Sequence, residues 1–412
     1  MNAKPMRVGI VHNLYRWRGG EDSVFEAEVA QLRGIGVEVR TLVRHNTEIH
    51  TLADRVTTAL GAIWNFAAYR DVRRFIRDEQ ISVLHVHNYF PQFSPAVFSA
   101  ARAEGVPVVF TIHNYRHGCL NAQFFRDGAV CTRCRGQSAK VAGVLLGCYR
   151  GSRAGSASVA LMLGVHKLLG TWRRDVTVYL ALTEFAADSL VAEGIPRDRI
   201  VVKPNAVYPM PAEATRDGDF FLFMGRHSPE KGLATLISAW LHPNAPRGRL
   251  IVLGEGPLTE ELRARASADA RIEFRGYLDG AERDGLRRSA LAIIVPSEWF
   301  EGFPMVIAES LAMGTPIIST RLGAMSSVLR HEVDALLVPP GDAAALAAAA
   351  SRLADDPALR QRLGDAALAR ARSEYSAELN AQHLLDLYHR LAGKAERPRV
   401  LLAPTATTGP HA

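Results

Sequence analysis

The chain has 412 residues, 48% of them apolar, so it is too long for one ordinary domain and can bury two cores. Its charge is uneven: residues 1–180 hold 23 Lys and Arg against 13 Asp and Glu, while the remainder is slightly acidic. No uncharged apolar run reaches about 18 residues and the N-terminus lacks a secretory pattern, which predicts a cytoplasmic chain without a membrane span. A basic half attracts an anionic substrate, a nucleic acid or a membrane surface, unless its arginines are simply solvated. No aromatic-interleaved nucleic-acid module is present, so nucleic acid is excluded and a substrate or a peripheral membrane contact remains.

Met6 to His12 reads as a strand, and a helix follows from about Ser23 to Arg33. Between them Gly19-Gly20 suits either a phosphate loop or a tight turn. Val37 to Val43 is the second strand. Residues 48–79 read as helical and mix Trp64, Phe66, Tyr69 and Phe75 with Arg70, Arg73, Arg74 and Arg77. Such a helix either lies on an anionic membrane or packs on its own domain. The strands Ile81 to His87 and Val106 to Ile112 end in His87-Asn88 and His113-Asn114. Both histidines therefore fall at carboxyl ends of predicted parallel strands, where α/β sites form.

All four cysteines, Cys119, Cys131, Cys134 and Cys148, lie within thirty residues in the pattern C-x11-C-x2-C-x13-C. Four thiols with one C-x2-C pair suit a tetrahedral structural zinc, and a cytoplasmic chain argues against disulfides. Unrelated free thiols are the alternative. The segment from Asn121 to Tyr149 reads as a long loop of little apolar content that needs a staple or a ligand to be ordered. Zinc here would be structural, because four thiolates leave no open position.

Residues 156–171 read as a helix, Val176 to Leu182 and Ile200 to Lys203 as strands, and Pro209 to Asp219 as a linker. Phe220 to Met224 is the first strand of the second half. Gly225-Arg226 and Lys231-Gly232 follow it before a helix, placing a forked cation and a point charge where a diphosphate could bind. Leu250 to Leu253 turns at Gly254-Glu-Gly-Pro257, Ile272 to Phe274 is the next strand, and Leu291 to Val295 leads into Glu301-Gly-Phe-Pro-Met-Val-Ile-Ala-Glu309. Gly302 to Met305 set free N–H groups at the positive end of a helix, with Glu301 and Glu309 on either side. Strand alternates with helix throughout, the period of parallel doubly wound sheets. Residues 343–350, 357–372 and 375–391 read as the last helices, and 394–412 as a disordered tail.

Glu301 to Glu309 resembles the E-x7-E motif of retaining glycosyltransferase family 4, and Gly225-Arg226 with Lys231-Gly232 and Gly254-Glu-Gly-Pro257 resemble its next two landmarks, in the family's order. The resemblance covers roughly residues 6 to 391, although many members lack the cysteine insert. It implies an α/β GT-B fold: two Rossmann-like doubly wound domains facing across a cleft. Residues 1–207 would be the acceptor side, with an insert at 114–152. Residues 208–372 would hold the nucleotide sugar, and a helix at 373–393 would cross back. The resemblance places Arg226 and Lys231 on the donor phosphates and Glu309 on the ribose. It places Glu301 on the donor sugar or the anomeric charge, and His113 on the sugar. Gly19 and Gly20 would form the donor loop, with Glu21 nearby. Tyr277 would lie beside the base, and Gly302, Phe303 and Met305 at the phosphates. Asn205 stands in a segment like the family's cleft loop, with Ala206 replacing its usual Gly. His87 would be an acceptor-side group.

The expected reaction moves a hexose from a UDP- or GDP-sugar to a glycan or lipid-linked acceptor with retention of configuration. No D-x-D-like pair is present, so catalysis is expected to need no metal or other cofactor. The rivals are a nucleotide-sugar epimerase of the same architecture, a non-catalytic sugar-nucleotide or glycan binder, and an NAD-linked oxidoreductase. The last lacks a clean G-x-G-x-x-G after a first strand.

Overall fold

A computed structural model describes residues 6–15, 19–46 and 52–393. The residues expected to be a disordered tail, 394–412, lie outside them. Among the described residues the chain forms two six-stranded parallel sheets and one short hairpin. The first sheet holds β1 (Arg7–Leu14), β2 (Glu38–His45), β3 (Val83–Val86) and β4 (Val108–Ile112). After the hairpin strands β5 (Phe125–Arg126) and β6 (Ala129–Val130) come its last members, β7 (Val178–Ala181) and β8 (Ile200–Val202). The spatial order is β2-β1-β3-β4-β7-β8. β1 pairs with β2 from Arg7↔Glu38 and with β3 from Val8↔Val83, so the strand order reverses between β1 and β3.

The second sheet holds β9 (Phe220–Met224), β10 (Arg249–Leu253), β11 (Ile272–Gly276), β12 (Ala292–Val295), β13 (Ile317–Thr320) and β14 (Leu336–Val338). Its order is β11-β10-β9-β12-β13-β14, which reverses between β9 and β12. Loops leaving the carboxyl ends of two such strands diverge and open a crevice, the usual ligand site of an open α/β sheet. Continuous apolar runs explain why these strands are central. Ala292–Val295 is buried along its whole length, and Phe221 packs on Trp240 with ring centroids 5.4 Å apart.

Polar caps set the helix boundaries. The stretch expected to be one helix over 48–79 is two, Leu52–Gly61 and Phe66–Asp78, with residues 47–51 outside the described set. The Asn65 carboxamide oxygen accepts from the Ala68 amide and starts the second helix afresh. That second helix turns Ala68, Val72 and Ile76 into the core, Trp64 stacks on His166, and Arg77 pairs with Glu104. It packs on its own domain, the second of the two readings of this stretch. Ser376 caps the last helix, Ala377–Ala392. This helix places Leu384, Leu387, Tyr388 and Leu391 among Val8, Ile10 and Val29 of the first half.

The cysteine-bearing segment also differs from the expected apolar-poor loop. Leu120 and Phe124 are fully buried, and a short helix Val141–Leu145 follows the hairpin. Lys140 is buried too, and its Nζ pairs with Glu193 at 2.6 Å.

Candidate active site

The loops after β9 and β12 meet at the reversal point of the second sheet. Gly232 has φ +69°, and any side chain there would run into the Pro296 carbonyl oxygen. This close crossing brings the Lys231 Nζ within 2.7 Å of the Glu301 carboxylate. The same Glu301 oxygen accepts from the Ser297 hydroxyl at 2.7 Å. Lys231 also lies 5.2 Å from the Trp299 ring centroid. Four residues after Glu301, the helix Met305–Met313 begins with no side-chain cap, leaving its first N–H groups without an intrahelical partner. Glu309, one turn into that helix, faces Arg287 at 2.9 Å, and burial raises its carboxyl above the ordinary range.

The two halves touch at this point. The Tyr115 hydroxyl donates to the Glu301 backbone carbonyl at 2.7 Å. A Cβ on Gly302 would stand 2.9 Å from the His113 carbonyl oxygen, so only glycine lets the His113 strand end come this close. Phe300 inserts between Phe185 and Phe124 of the first half.

Behind His113 runs a buried chain of polar groups. His113 Nε2 lies 3.0 Å from His87 Nδ1, and His87 Nε2 lies 3.0 Å from Glu28 Oε1. Lys203 Nζ is 3.3 Å from the other Glu28 oxygen. His85 is 3.2 Å from Glu28 and hydrogen-bonds Tyr388 and Thr111. Burial alone would raise the Glu28 carboxyl, but Lys203, His87 and His85 outweigh it and hold it well below the ordinary range. Burial pushes His87 down to about 4 and His113 well below the usual imidazole value, so both rings are neutral near pH 7. A carboxylate can only accept, so His87 Nε2 carries the proton and its Nδ1 is a lone pair. His113 must then donate through Nε2, which leaves its Nδ1 as an acceptor.

A cavity of about 710 Å³ opens on the same side. Tyr15, Asn46, Phe90, Tyr149 and Arg150 of the first half line it, together with Arg226 of the second. Next to it Tyr15 donates to Glu21 at 2.8 Å, and burial lifts the Glu21 carboxyl to about 8.

The structure therefore gathers Lys231, Glu301, Gly302 and His113, with Phe303 buried and Met305 opening the helix beside them. Arg226 is exposed on the cavity wall. Gly19 and Gly20 have open space over their Cα atoms, and residues 16–18 of their loop lie outside the described set. Tyr277 is 73% exposed at the sheet edge, and Asn205 is buried. Ser297, Tyr115, Arg287, Glu28 and Lys203 were not legible as site residues. One signal existed for Glu28: Val24, Phe25, Val29 and Leu32 place it on the buried face of its helix.

The cysteines converge only loosely. Cys119 and Cys134 are buried, which raises both thiols, and Cys148 adds to each shift. Cys119 donates to the Asn121 side chain, and Arg126 reaches the Cys148 sulfur. Among the described residues the trio with ligand atoms mutually within 4.8 Å is Glu28, His85 and His87, not the sulfurs. With Lys203 already on Glu28, that trio is better described as a hydrogen-bond network than as a cation site.

Comparison with known proteins agrees with this architecture. Residues 19–206 match the family model described as a glycosyl transferase 4-like domain, and residues 218–356 match the one described as glycosyl transferases group 1. The chain belongs to the family 4-type glycosyltransferases of the GT-B fold, and it is an enzyme of that class. A phosphatidyl-myo-inositol mannosyltransferase of Mycobacterium leprae (strain TN) is 28% identical over 415 residues, spanning 96% of this chain and 100% of the relative. A lipopolysaccharide core biosynthesis glycosyltransferase of Rhizobium meliloti (strain 1021) is 32% identical over 234 residues, 53% of this chain and 66% of that one. Among solved structures, sucrose-phosphate synthase from Thermosynechococcus elongatus matches with TM-score 0.69 at 18% identity, covering 94% of this chain and 99% of that one. Anabaena Alr3699/HepE in complex with UDP-glucose matches with TM-score 0.67 at 16% identity, covering 93% and 100%. No described helix is long and apolar enough to cross a membrane.

Proposed function

We propose that the protein transfers a hexose from a UDP- or GDP-sugar to a glycan or lipid-linked acceptor with retention of configuration. The observation that carries this is the Lys231–Glu301 pair, set beside an uncapped helix end and held against the His113 strand end at the reversal point of the second sheet. In the transfer, the bond between the anomeric carbon and the diphosphate oxygen breaks, and its electron pair leaves with the phosphate. Lys231, Arg226 and the N–H groups at Met305 stabilise that developing charge. Glu301, fixed by Lys231 and Ser297, accepts from donor-sugar hydroxyls and offsets positive charge at the anomeric carbon. His113 Nδ1 accepts from a further sugar hydroxyl. Glu309 takes the ribose. The acceptor oxygen forms its new bond on the face the leaving group departs from, and its proton passes to the departing phosphate oxygen.

The acceptor is assigned to the cavity between the halves, whose wall includes the aromatic residues Tyr15, Phe90 and Tyr149 and the cation Arg150. A relative named for mannosyl transfer to a lipid and a fold neighbour holding UDP-glucose both support a hexose donor. Incubation with UDP- and GDP-sugars and a glycan acceptor tests the reading by nuclear magnetic resonance of the product. Release of nucleoside diphosphate with an unchanged anomeric configuration is expected. An inverted anomer contradicts retention, and an isomerised nucleotide sugar formed without acceptor contradicts transfer. The structural zinc proposed for Cys119, Cys131, Cys134 and Cys148 has its own measurement, metal analysis of the purified chain, with one zinc per chain expected.

A further inference from the structure

Among the described residues, one face of the helix Arg153–Leu168 has no partner. Val159, Met162, Leu163 and His166 are buried, while Ala154, Ala157, Leu161 and Leu168 are exposed at spacings of three, four and seven. That spacing is a single helix face, and it carries no polar side chain. Leu168 is 90% exposed and Leu161 54%. The short helix Val141–Leu145 runs alongside in the opposite direction. The Lys167 ammonium donates to Ser138 at one end, and Arg153 donates to the Leu145 carbonyl at the other. Val141 and Leu145 of this second helix are also more than half exposed. An unpartnered apolar surface on two adjacent elements is more than isolated surface leucines.

The charge along this segment is predominantly positive. Residues 128–174 contain eight Lys and Arg and no Asp or Glu. Lys140 is used internally, but Arg133, Arg150, Arg153, Lys167, Arg173 and Arg174 are exposed. An exposed apolar stripe flanked mainly by cations, with Asp127 paired to Arg126 at its edge, complements an anionic lipid surface: leucines enter the acyl boundary and cations meet headgroup phosphates. A protein partner of mixed surface charge would leave these cations without a matching pattern.

We propose that the face formed by the helices Val141–Leu145 and Arg153–Leu168 docks the protein on an anionic lipid bilayer. The cavity assigned to the acceptor abuts this face. Gly155, Ser158 and Val159 line it from the same helix, and Ser158 donates to Ala59 of the helix Leu52–Gly61, whose Leu60 is also exposed. Docking would bring a lipid-borne acceptor to the cavity mouth, which extends the transferase reading, although docking itself requires no turnover.

The test is sedimentation of the full chain with vesicles of phosphatidylcholine alone or with phosphatidylglycerol added, with no sugar nucleotide present. The chain is expected to sediment with the anionic vesicles and far less with the neutral ones, and added salt should release it. The variant Leu161→Asp/Leu168→Asp changes only exposed positions. It should keep the wild-type melting temperature and its response to sugar nucleotides, yet bind vesicles about tenfold or more weaker. Equal binding by the variant, or no wild-type binding to anionic vesicles, overturns the proposal. Self-association of the wild type that the variant abolishes, without vesicle binding, assigns the face to a second copy and likewise overturns it. Sugar-nucleotide binding is measured separately, so failure here leaves the transferase reading standing.

Discussion

Lys231→Ala is expected to lower kcat by about a thousandfold, the cost of removing one preorganised charge from a developing oxyanion. Lys231 has two roles at once. Its ammonium fixes Glu301 at 2.7 Å, and it is the cation closest in the structure to the carboxylate that precedes the helix end. Losing it leaves Glu301, 7% exposed, without its counter-ion and held by Ser297 alone. The fold should survive, because Gly232 keeps the close crossing with Pro296 and Lys231 itself is partly exposed. The loss should therefore fall on kcat rather than on melting temperature. Lys231→Arg should recover only part of the rate, since a planar fork does not replace a compact ammonium. A Lys231→Ala enzyme within about threefold of wild type would remove Lys231 from the chemistry, because a charge aimed at the leaving group is worth far more.

The second large effect is expected at a residue far from any ligand. Glu28→Gln keeps the shape of the side chain but leaves the buried Lys203 ammonium, 3.3 Å away, without a charge partner. Breaking a buried pair from one side costs about 3–5 kcal/mol. The double variant Glu28→Gln/Lys203→Met should recover most of that stability, because no buried charge remains. Activity should not recover with it. Only a carboxylate, which cannot donate, fixes the protons of His87 and so of His113. Loose positioning of the sugar should lower kcat about 10- to 100-fold in both variants. The pH dependence follows from the sign of the shift. Glu28 sits below its ordinary range when folded, so its stabilisation is present above that range and is lost as pH falls toward the folded value. The stability gap between wild type and Glu28→Gln should be full at neutral pH and narrow on acidification. A double variant that recovers activity along with stability would reduce Glu28 to a structural role.

The contrast between these two residues shows what the sequence could and could not carry. Lys231 and Glu301 were legible because each lies in a short pattern of glycine, charge and helix start whose chemistry is local. Glu28, His87 and His113 are not local. Their contact depends on β3 and β4 being parallel neighbours, with Val86 opposite Phe110, so that two strand ends deliver their histidines side by side. The helix Gly20–Gly34 then has to lay Glu28 over them. Composition around Glu28 reads as an ordinary solvated glutamate, and only its place among Val24, Phe25 and Val29 marks it as inward-facing. Similarly, residues 48–79 carry aromatic and basic side chains in a membrane-like mixture. Packing of Trp64 on His166, a residue about a hundred positions away, turns that stretch inward. The unpartnered apolar face lies instead beside the cysteine segment. Arg226 shows a third limit: its motif predicts phosphate chemistry, while its position on the wall of the cavity between the halves emerges only from the domain arrangement.

The most direct measurement is a thermal-shift panel of UDP-, GDP- and ADP-sugars against wild type and Glu309→Ala. A ligand that binds only the folded state raises its melting temperature by mass action. One donor class should stabilise the wild type, and the shift should be lost when Glu309 no longer meets the ribose. Stabilisation by no sugar nucleotide, or an equal shift in the Glu309→Ala variant, would contradict the placement of the donor at the β9–β12 crevice.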